Sequence, residues 1–187
     1  DNTVIIFTSD HGESLGDHGL LQKGCRFYEG LVRVPLIFSC PGRFEQDHRS
    51  NALVELVDKT ATIAQLAGVT DGEWRQGKSL LPILTGQSRS TSHRSFVRCE
   101  YFDALDPSFT GGSGVFATMH RTRRHKLVVY HGHHLGEMYD MDVDPWEFDN
   151  LWDSPEHQEL KHQLIHESFD AHVLLTTDVG SERIAPM

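Results

Sequence analysis

Asp10 and His11 place two metal-ligand side chains next to each other, directly after the apolar run at residues 4–7. A carboxylate beside an imidazole is suited to holding a divalent cation. Lys23 follows in the same polar loop, and an ammonium group beside a cation would form a receptor for a tetrahedral oxyanion. The spacing therefore indicates metal-assisted chemistry at such an oxyanion. The alternative is an ordinary polar turn followed by a surface lysine.

The elements that flank this loop are the ones that would position these side chains. The run at residues 4–7 is β-branched and too short for a helix, which predicts a strand buried on both faces, as in parallel sheets. Asp10 and His11 would lie beyond its carboxyl end, where open α/β sheets bind ligands. Because the glycine-rich loop at residues 12–24 leads to a second predicted strand at residues 34–39, we expect it to be functional.

Composition excludes several classes of protein. The chain has 187 residues, a formal net charge of −10 and a pI near 5.6, which argues against a general nucleic-acid binder. No apolar run reaches the length of a membrane span. The three cysteines (Cys25, Cys40 and Cys99) lack metal-type spacing and argue against a disulfide scaffold, although one bridge stays open.

Residues 1–92 are predicted to be part of an α/β domain. Apolar residues at three- and four-residue spacing predict a helix that is capped by Ser50 or Asn51 and ends at Gly68. The apolar stretch at residues 77–86 predicts a turn or a one-turn helix.

Residues 93–175 are predicted to form a separate small subdomain, followed by a tail at residues 176–187. The apolar period changes here from 3.6 to 2, and the connections between the later strands are short, which predicts antiparallel pairing. Strands are expected at residues 95–101, 115–120, 125–130 and 137–140. Ser154 and Pro155 have the cap-then-proline pattern that opens a final helix.

Other clusters have plainer interpretations. The histidines of the 131–134 turn could bind a metal, but such a turn is more often solvated. The arginines of the 121–124 turn could bind an anion, and are interpreted as a solvated face. Cys25 lies between Lys23 and Arg26, which could lower its pKa, but no base is identifiable beside it in the sequence.

A series of ordered stretches covers nearly the whole chain. They are residues 8–13 (TSDHGE), 15–19 (LGDHG), 23, 28–29, 33–37 (RVPLI), 56–60 (LVDKT), 66–69 (LAGV), 77–84 (GKSLLPIL), 121–126 (RTRRHK), 137–140 (EMYD) and 144–151 (DPWEFDNL). Together they resemble the sulfatases of the alkaline-phosphatase superfamily. The resemblance implies part of an alkaline-phosphatase-like α/β sandwich plus a small C-terminal α+β subdomain with an antiparallel sheet.

The resemblance also implies roles for residues of the loop. Asp10 and His11 correspond to two ligands of the catalytic cation, which is usually calcium. Many relatives have Asn at the position of His11, and a nitrogen ligand leaves manganese or another transition metal open. Lys23 corresponds to the lysine that contacts the sulfate and the bridging oxygen. His18 and Arg26 are candidates for substrate contact.

Several parts that the family needs have no counterpart in the sequence. The nucleophile of the family is a formylglycine made from Cys or Ser in a C/S-x-P/A-x-R motif, which none of the three cysteines matches. Paired aspartates and a histidine that complete the site are also absent. We therefore expect a C-terminal portion that is inert alone and works with the N-terminal part of the same enzyme. Isolated, it is expected to expose apolar surface and to self-associate.

The implied reaction is the hydrolysis of a sulfate ester. A formylglycine hydrate, activated at the cation, attacks sulfur, and Lys23 stabilises the charge of the transition state as the ester oxygen leaves. Two alternatives stay open. The first is a phosphonate or phosphate ester hydrolase of the same superfamily, and the second is a non-catalytic interaction module.

Overall fold

The chain folds into two antiparallel sheets connected by helices. The computed structural model describes residues 2–69, 76–88, 93–103 and 114–176. The first sheet pairs β1 (Ile5–Thr8) with β2 (Leu36–Ser39), and the second contains β3 (Phe96–Phe102), β4 (Phe116–Thr122), β5 (His125–His131) and β6 (Leu135–Asp140) in that order. The helices are α1 (Glu29–Val32), α2 (Leu56–Leu66), α3 (Leu81–Leu84) and α4 (Gln158–Thr176), with 3-10 turns at Asp17–Gly19 and Pro155–His157.

The four-stranded sheet has other elements packed on both of its faces. Successive residues of a strand point to opposite faces, so Leu127 and Val128 of β5 belong to different clusters. On one face Leu127 packs with Met138 and with Leu164 of α4. On the other face Val128 packs with Phe27, which precedes α1. The sheet therefore supports the segment that leads out of the polar loop.

The four predicted C-terminal strands and their antiparallel pairing are confirmed. The predicted domain boundary near residue 92 stays a prediction. Phe27, which precedes that boundary, packs with Val128 and other residues of the four-stranded sheet that follows it. The predicted tail lies, except for Thr176, outside the described residues. No helix of the described part has both the length and the apolar character that a bilayer span requires.

The expectation that β1 is buried on both faces in a parallel sheet was wrong for this chain. β1 pairs antiparallel with β2, with Ile6 opposite Phe38. Ile5 and Phe7 are 62% and 60% exposed. Because both point to the same face of a two-stranded sheet, and no described element covers that face, their side chains meet solvent.

Helix α2 begins later than the sequence suggested. Its N-cap is Glu55 rather than Ser50 or Asn51, because Glu55 and Asp58 form a reciprocal capping box with each other's backbone N–H groups. The predicted end is confirmed, since Gly68 follows the helix with a left-handed φ of 77°.

Asp58 connects α2 to two other segments. It is fully buried, and its carboxylate pairs with the Arg94 guanidinium through two side-chain hydrogen bonds. It also lies 3.1 Å from His93 Nε2 and accepts hydrogen bonds from the backbone N–H groups of Lys78 (2.7 Å) and Glu55 (3.0 Å). A single carboxylate therefore fixes the start of α2, the approach to α3 and the approach to β3.

Candidate functional site

Asp10, His11 and Lys23 meet at one place on the surface. Lys23 Nζ lies 2.6 Å from His11 Nε2, and Asp10 Oδ2 lies 3.6 Å from the same nitrogen. The Asp10 side chain is 85% exposed and that of His11 41%. The turn after β1 and the loop at residues 12–24 thus bring together the three residues whose types suggested metal and oxyanion chemistry.

The backbone fixes which nitrogen of His11 is available. His11 Nδ1 lies 2.7 Å from the carbonyl oxygen of Gly12, which can only accept a hydrogen bond, so Nδ1 carries the proton. Nε2 then presents its lone pair to the Lys23 ammonium. Metal-ligating histidines commonly donate their other N–H to a carbonyl in this way.

Asp10 is prepared as an anionic ligand. Its Oδ1 accepts a hydrogen bond from the His11 backbone N–H at 3.0 Å, and this bond is the main cause that lowers the pKa of Asp10. Ligand atoms at about 2.0–2.6 Å from one ion can be separated by the 3.6 Å observed between Asp10 Oδ2 and His11 Nε2. The pair therefore fits a divalent cation. In the described residues no group of three or more His, Cys, Asp or Glu forms a complete site.

The loop is also tied to its own ends. The Gly12 backbone N–H donates to the carbonyl oxygen of Leu31 at 2.8 Å, so the exit from β1 contacts α1. The Ser14 hydroxyl donates to the carbonyl oxygen of Gln22 at 3.0 Å, which joins the two arms of the loop. These bonds bring Lys23 back toward His11.

We expect Gly12→Ala to lower the free energy of unfolding by about 1–3 kcal/mol, as in other overpacked sites. A Cβ at residue 12 would collide with the carbonyl oxygen of Gly30 and lie 3.2 Å from Leu31 Cα. Gly30→Ala is the matched control, because its Cβ would meet nothing closer than Asp17 Oδ2 at 3.5 Å. Urea unfolding midpoints compare the two variants, and equal midpoints would contradict the prediction.

His18 packs into the protein rather than beside Lys23. Its ring stacks on Tyr28, with centroids 3.8 Å apart, and lies 5.1 Å from the ring of Phe148. Its Nε2 lies 3.1 Å from the carbonyl oxygen of Glu147, to which it can donate. Only 12% of its side chain is exposed.

Arg26 points to the second sheet. Its Nη1 donates to the Tyr130 hydroxyl at 2.8 Å and to Glu137 Oε1 at 3.2 Å. Burial, followed by the charge of Glu137, raises the pKa of Tyr130, so Tyr130 keeps its proton and donates to Glu137 at 2.8 Å. The Arg26 side chain stays 41% exposed and borders the same large cavity as Lys23.

A buried ion network beneath the loop was not identified from the sequence. Arg121, interpreted as solvated, is only 15% exposed and donates from Nε to Glu29 at 3.1 Å, so that interpretation was wrong. Lys126 is fully buried and pairs with Glu29 and Glu147. The available signal was a lysine inside an apolar strand, which requires a buried partner but does not name one.

Comparisons with known proteins identify one family. The family model described as N-sulphoglucosamine sulphohydrolase, C-terminal, matches residues 16–172. The chain belongs to the sulfatase family. A curated sulfatase, the delta 4,5-hexuronate-2-O-sulfatase of Bacteroides thetaiotaomicron, is 31% identical over 186 residues. The match covers 95% of this chain and 37% of that sulfatase, so the chain spans little more than a third of its length.

Solved structures agree with this membership. The structure of BT4656 in complex with its substrate D-glucosamine-2-N,6-O-disulfate superimposes with a TM-score of 0.81 and 30% identity, over 98% of this chain and 36% of that one. The phosphonate monoester hydrolase of Agrobacterium radiobacter gives 0.78 and 25%, over 93% of this chain and 36% of that one. The expected sulfatase α/β fold class and the C-terminal placement are confirmed.

Proposed function

We propose that this chain is the C-terminal part of an enzyme that hydrolyses sulfate esters, and that it contributes Asp10, His11 and Lys23 to the active site. The proposal is supported mainly by the 2.6 Å approach of Lys23 Nζ to His11 Nε2, beside Asp10. Membership of the sulfatase family supports sulfur as the reacting centre. The nucleophile and the remaining metal ligands would come from the rest of the parent protein.

Asp10 Oδ2 and His11 Nε2 are the two atoms that would hold a metal ion. Lys23 Nζ lies 2.6 Å from His11 Nε2, so it would turn from that nitrogen to the substrate anion when the ion binds. The sulfatase family generally uses a divalent metal. We propose calcium, which suits the carboxylate, with manganese as the alternative that the imidazole nitrogen favours. Such an ion supplies positive charge next to the sulfuryl oxygens.

Lys23 would act on the substrate through its charge. Its ammonium carries three donors and no acceptor, so it can bind a sulfate oxygen and the bridging ester oxygen together. Negative charge grows on the bridging oxygen as the bond to sulfur breaks, and a fixed ammonium stabilises that charge. Lys23 is thus proposed as both a catalytic and a substrate-binding residue.

Arg26 and His18 are proposed as substrate contacts with different degrees of access. Arg26 keeps 41% of its side chain exposed and borders the cavity of Asp10 and Lys23, so a substrate anion could reach its guanidinium. His18 is 12% exposed and its ring is stacked between Tyr28 and Phe148. Its contact with a substrate would be limited to the ring edge.

The second candidate is a phosphonate or phosphate ester hydrolase, which the similarity to the Agrobacterium enzyme favours. Hydrolysis of an aryl sulfate and of an aryl phosphonate monoester by the full-length protein separates the two. We expect the higher kcat/KM with the sulfate. Turnover of the phosphonate with no turnover of any sulfate ester would overturn the first proposal.

Removal of the metal from the full-length protein is expected to abolish turnover of an aryl sulfate, and added calcium or manganese is expected to restore it. We expect Asp10→Asn to weaken metal affinity by more than about 100-fold, since losing even a group that only supports a ligand costs 10–100-fold. Metal content per protein, measured by elemental analysis, is the readout. Asp17→Asn is the control, because Asp17 is an exposed acid of the same loop that pairs with His18. Equal metal content in both variants would exclude Asp10 as a ligand.

A non-catalytic module is the proposal of a different class. If the purified 187-residue chain is part of an enzyme, it should bind calcium or manganese weakly and hydrolyse no ester. The reason is that it would supply only two of the metal ligands, Asp10 and His11, and no nucleophile. Tight binding of either ion by the chain alone, measured by calorimetry, would favour an independent binding module.

A further inference from the structure

Glu147 is a buried residue other than glycine whose backbone has an unusual conformation. Its φ is +62°, in the left-handed region, and it is only 3% exposed. A Cβ makes this conformation unfavourable, so it persists only where the surroundings hold the residue firmly. The contacts of Glu147 show what that hold consists of.

Three different parts of the chain bind Glu147. Its Oε1 accepts a hydrogen bond from Lys126 Nζ of β5 at 2.6 Å. Its Oε2 accepts one from the backbone N–H of Glu29, the first residue of α1, also at 2.6 Å. Its carbonyl oxygen lies 3.1 Å from His18 Nε2, in the polar loop. One residue therefore joins the second sheet to both flanks of the segment at residues 18–29.

Lys126 completes this anchor. Its buried ammonium lies 2.8 Å from Glu29 Oε1 and donates to the carbonyl oxygen of Phe27 at 2.9 Å, besides its bond to Glu147. Arg121 provides the second cation, so two carboxylates face two cations. Burial raises the pKa of Glu29, but Lys126 and Arg121 outweigh burial and hold it below its usual range. At Glu147 burial outweighs the charge and hydrogen bond of Lys126, so its pKa is raised above the usual range. The anchor as a whole still places two carboxylates against two cations, which limits the cost of burying them.

Lys23 lies inside the anchored segment. His18 precedes it by five residues and Phe27 follows it by four, so both fixed points are close in the chain. Short segments with both ends fixed have few conformations available. The anchor therefore restricts where the Lys23 side chain can point, and it does so through the chain, since the hydrogen bond of the Lys23 ammonium is to His11.

We propose that Glu147, together with Lys126, is a positioning residue that fixes both flanks of the 18–29 segment and so aims Lys23 at the site of Asp10 and His11. This inference rests on the proposed function of Lys23. Its physical basis is that misplacing a catalytic group by about 1 Å can cost about 10²-fold in rate.

Two variants of the full-length protein test the proposal. Glu147→Gln keeps the size of the side chain and removes its charge. Glu147→Gly removes the side chain while allowing the left-handed backbone, and Lys126 stays paired with Glu29, so the fold should persist. Glu100→Gln is the matched control, because Glu100 pairs with Arg98 and His172.

Amide hydrogen exchange and kinetics are measured together. We expect exchange at residues 18–29 to accelerate at least about tenfold in both Glu147 variants, with β4 and β5 unchanged. The carboxylate bonds to Lys126 and to the Glu29 N–H are weakened in Glu147→Gln and lost in Glu147→Gly, whereas the contact of His18 with the backbone carbonyl remains. We expect kcat for an aryl sulfate to fall by about 10²-fold with a smaller change in KM. Glu100→Gln should alter neither quantity.

The outcomes separate this inference from the function of Lys23. Unchanged exchange at residues 18–29, or equal acceleration throughout β4 and β5, would show no specific anchor and overturn the inference. Faster exchange at residues 18–29 with an unchanged kcat in the Glu147 variants would also overturn the inference, provided that Lys23→Ala is inactive. If the segment is released while Lys23→Ala keeps full activity, the tether is supported and the proposed function of Lys23 fails.

Discussion

If the full-length protein hydrolyses sulfate esters as proposed, replacing Lys23 by alanine is expected to lower its kcat/KM for an aryl sulfate by about 10²–10³-fold, the loss seen when one fixed transition-state donor is removed. The Lys23 ammonium lies 2.6 Å from His11 Nε2, so it is close enough to contact a sulfate bound beside the proposed metal site. Charge develops on the bridging oxygen mainly in the transition state, and we therefore expect kcat to fall more than KM rises.

Two further variants show whether charge is the cause. Lys23→Met keeps most of the length of the side chain and removes its charge, so it should be as slow as Lys23→Ala. Lys161→Ala removes a lysine of α4 whose ammonium donates to the carbonyl oxygen of Trp152, and it should keep wild-type turnover. Activity of Lys23→Ala within about threefold of the wild type would remove Lys23 from the proposed mechanism, since a lost donor costs far more.

The meeting of Asp10, His11 and Lys23 could be predicted from the sequence because the loop at residues 12–24 runs between two predicted strands. When the two strands that flank a loop lie side by side, the last residues of the loop come back close to its first residues. The C-terminal sheet could be predicted for a similar reason, since an apolar period of two with short turns leaves few other pairings. These are local patterns.

The environment of β1 could not be predicted in the same way. Residues 4–7 have the composition of a strand covered on both sides, but composition does not say which elements cover it. In the described residues Ile5 and Phe7 are exposed, and β1 pairs antiparallel with β2. The expected self-association of the isolated chain stays a prediction, which sedimentation would test.

The anchor of Glu147 was hidden for a different reason. Glu29, Lys126 and Glu147 are far apart in the sequence, and only Lys126, inside an apolar strand, gives a sign of burial there. Their pairing depends on how the segment before α1 packs on β5, which no local pattern describes. Buried ion networks of this kind are therefore recognised from the fold, whereas the strands that carry them can be predicted.

Replacing Asp58 by asparagine is expected to lower the free energy of unfolding by about 3–5 kcal/mol, as for other buried ion pairs that lose one partner. Asp58 is fully buried and the Arg94 side chain is 4% exposed, so the variant would leave a buried guanidinium with Glu55, 3.4 Å from Nη1, as its remaining counter-charge. Asp140→Asn is the control: Asp140 pairs with Arg124, which is 59% exposed, and such a pair is worth about 1 kcal/mol or less.

The dependence of stability on pH gives an independent measurement of the same pair. Burial raises the pKa of Asp58, but hydrogen bonds from Arg94, His93 and two backbone N–H groups outweigh burial and lower it far below its usual range. A lowered pKa stabilises the fold above the unfolded value of about 3.9, and this stabilisation is lost as the pH falls through the folded value. When the pH is lowered below about 4, the urea midpoint of the wild type should therefore decrease. The midpoint of Asp58→Asn should decrease less, because its amide does not titrate. Parallel pH profiles for the two proteins would show that Asp58 does not hold the ionised pair.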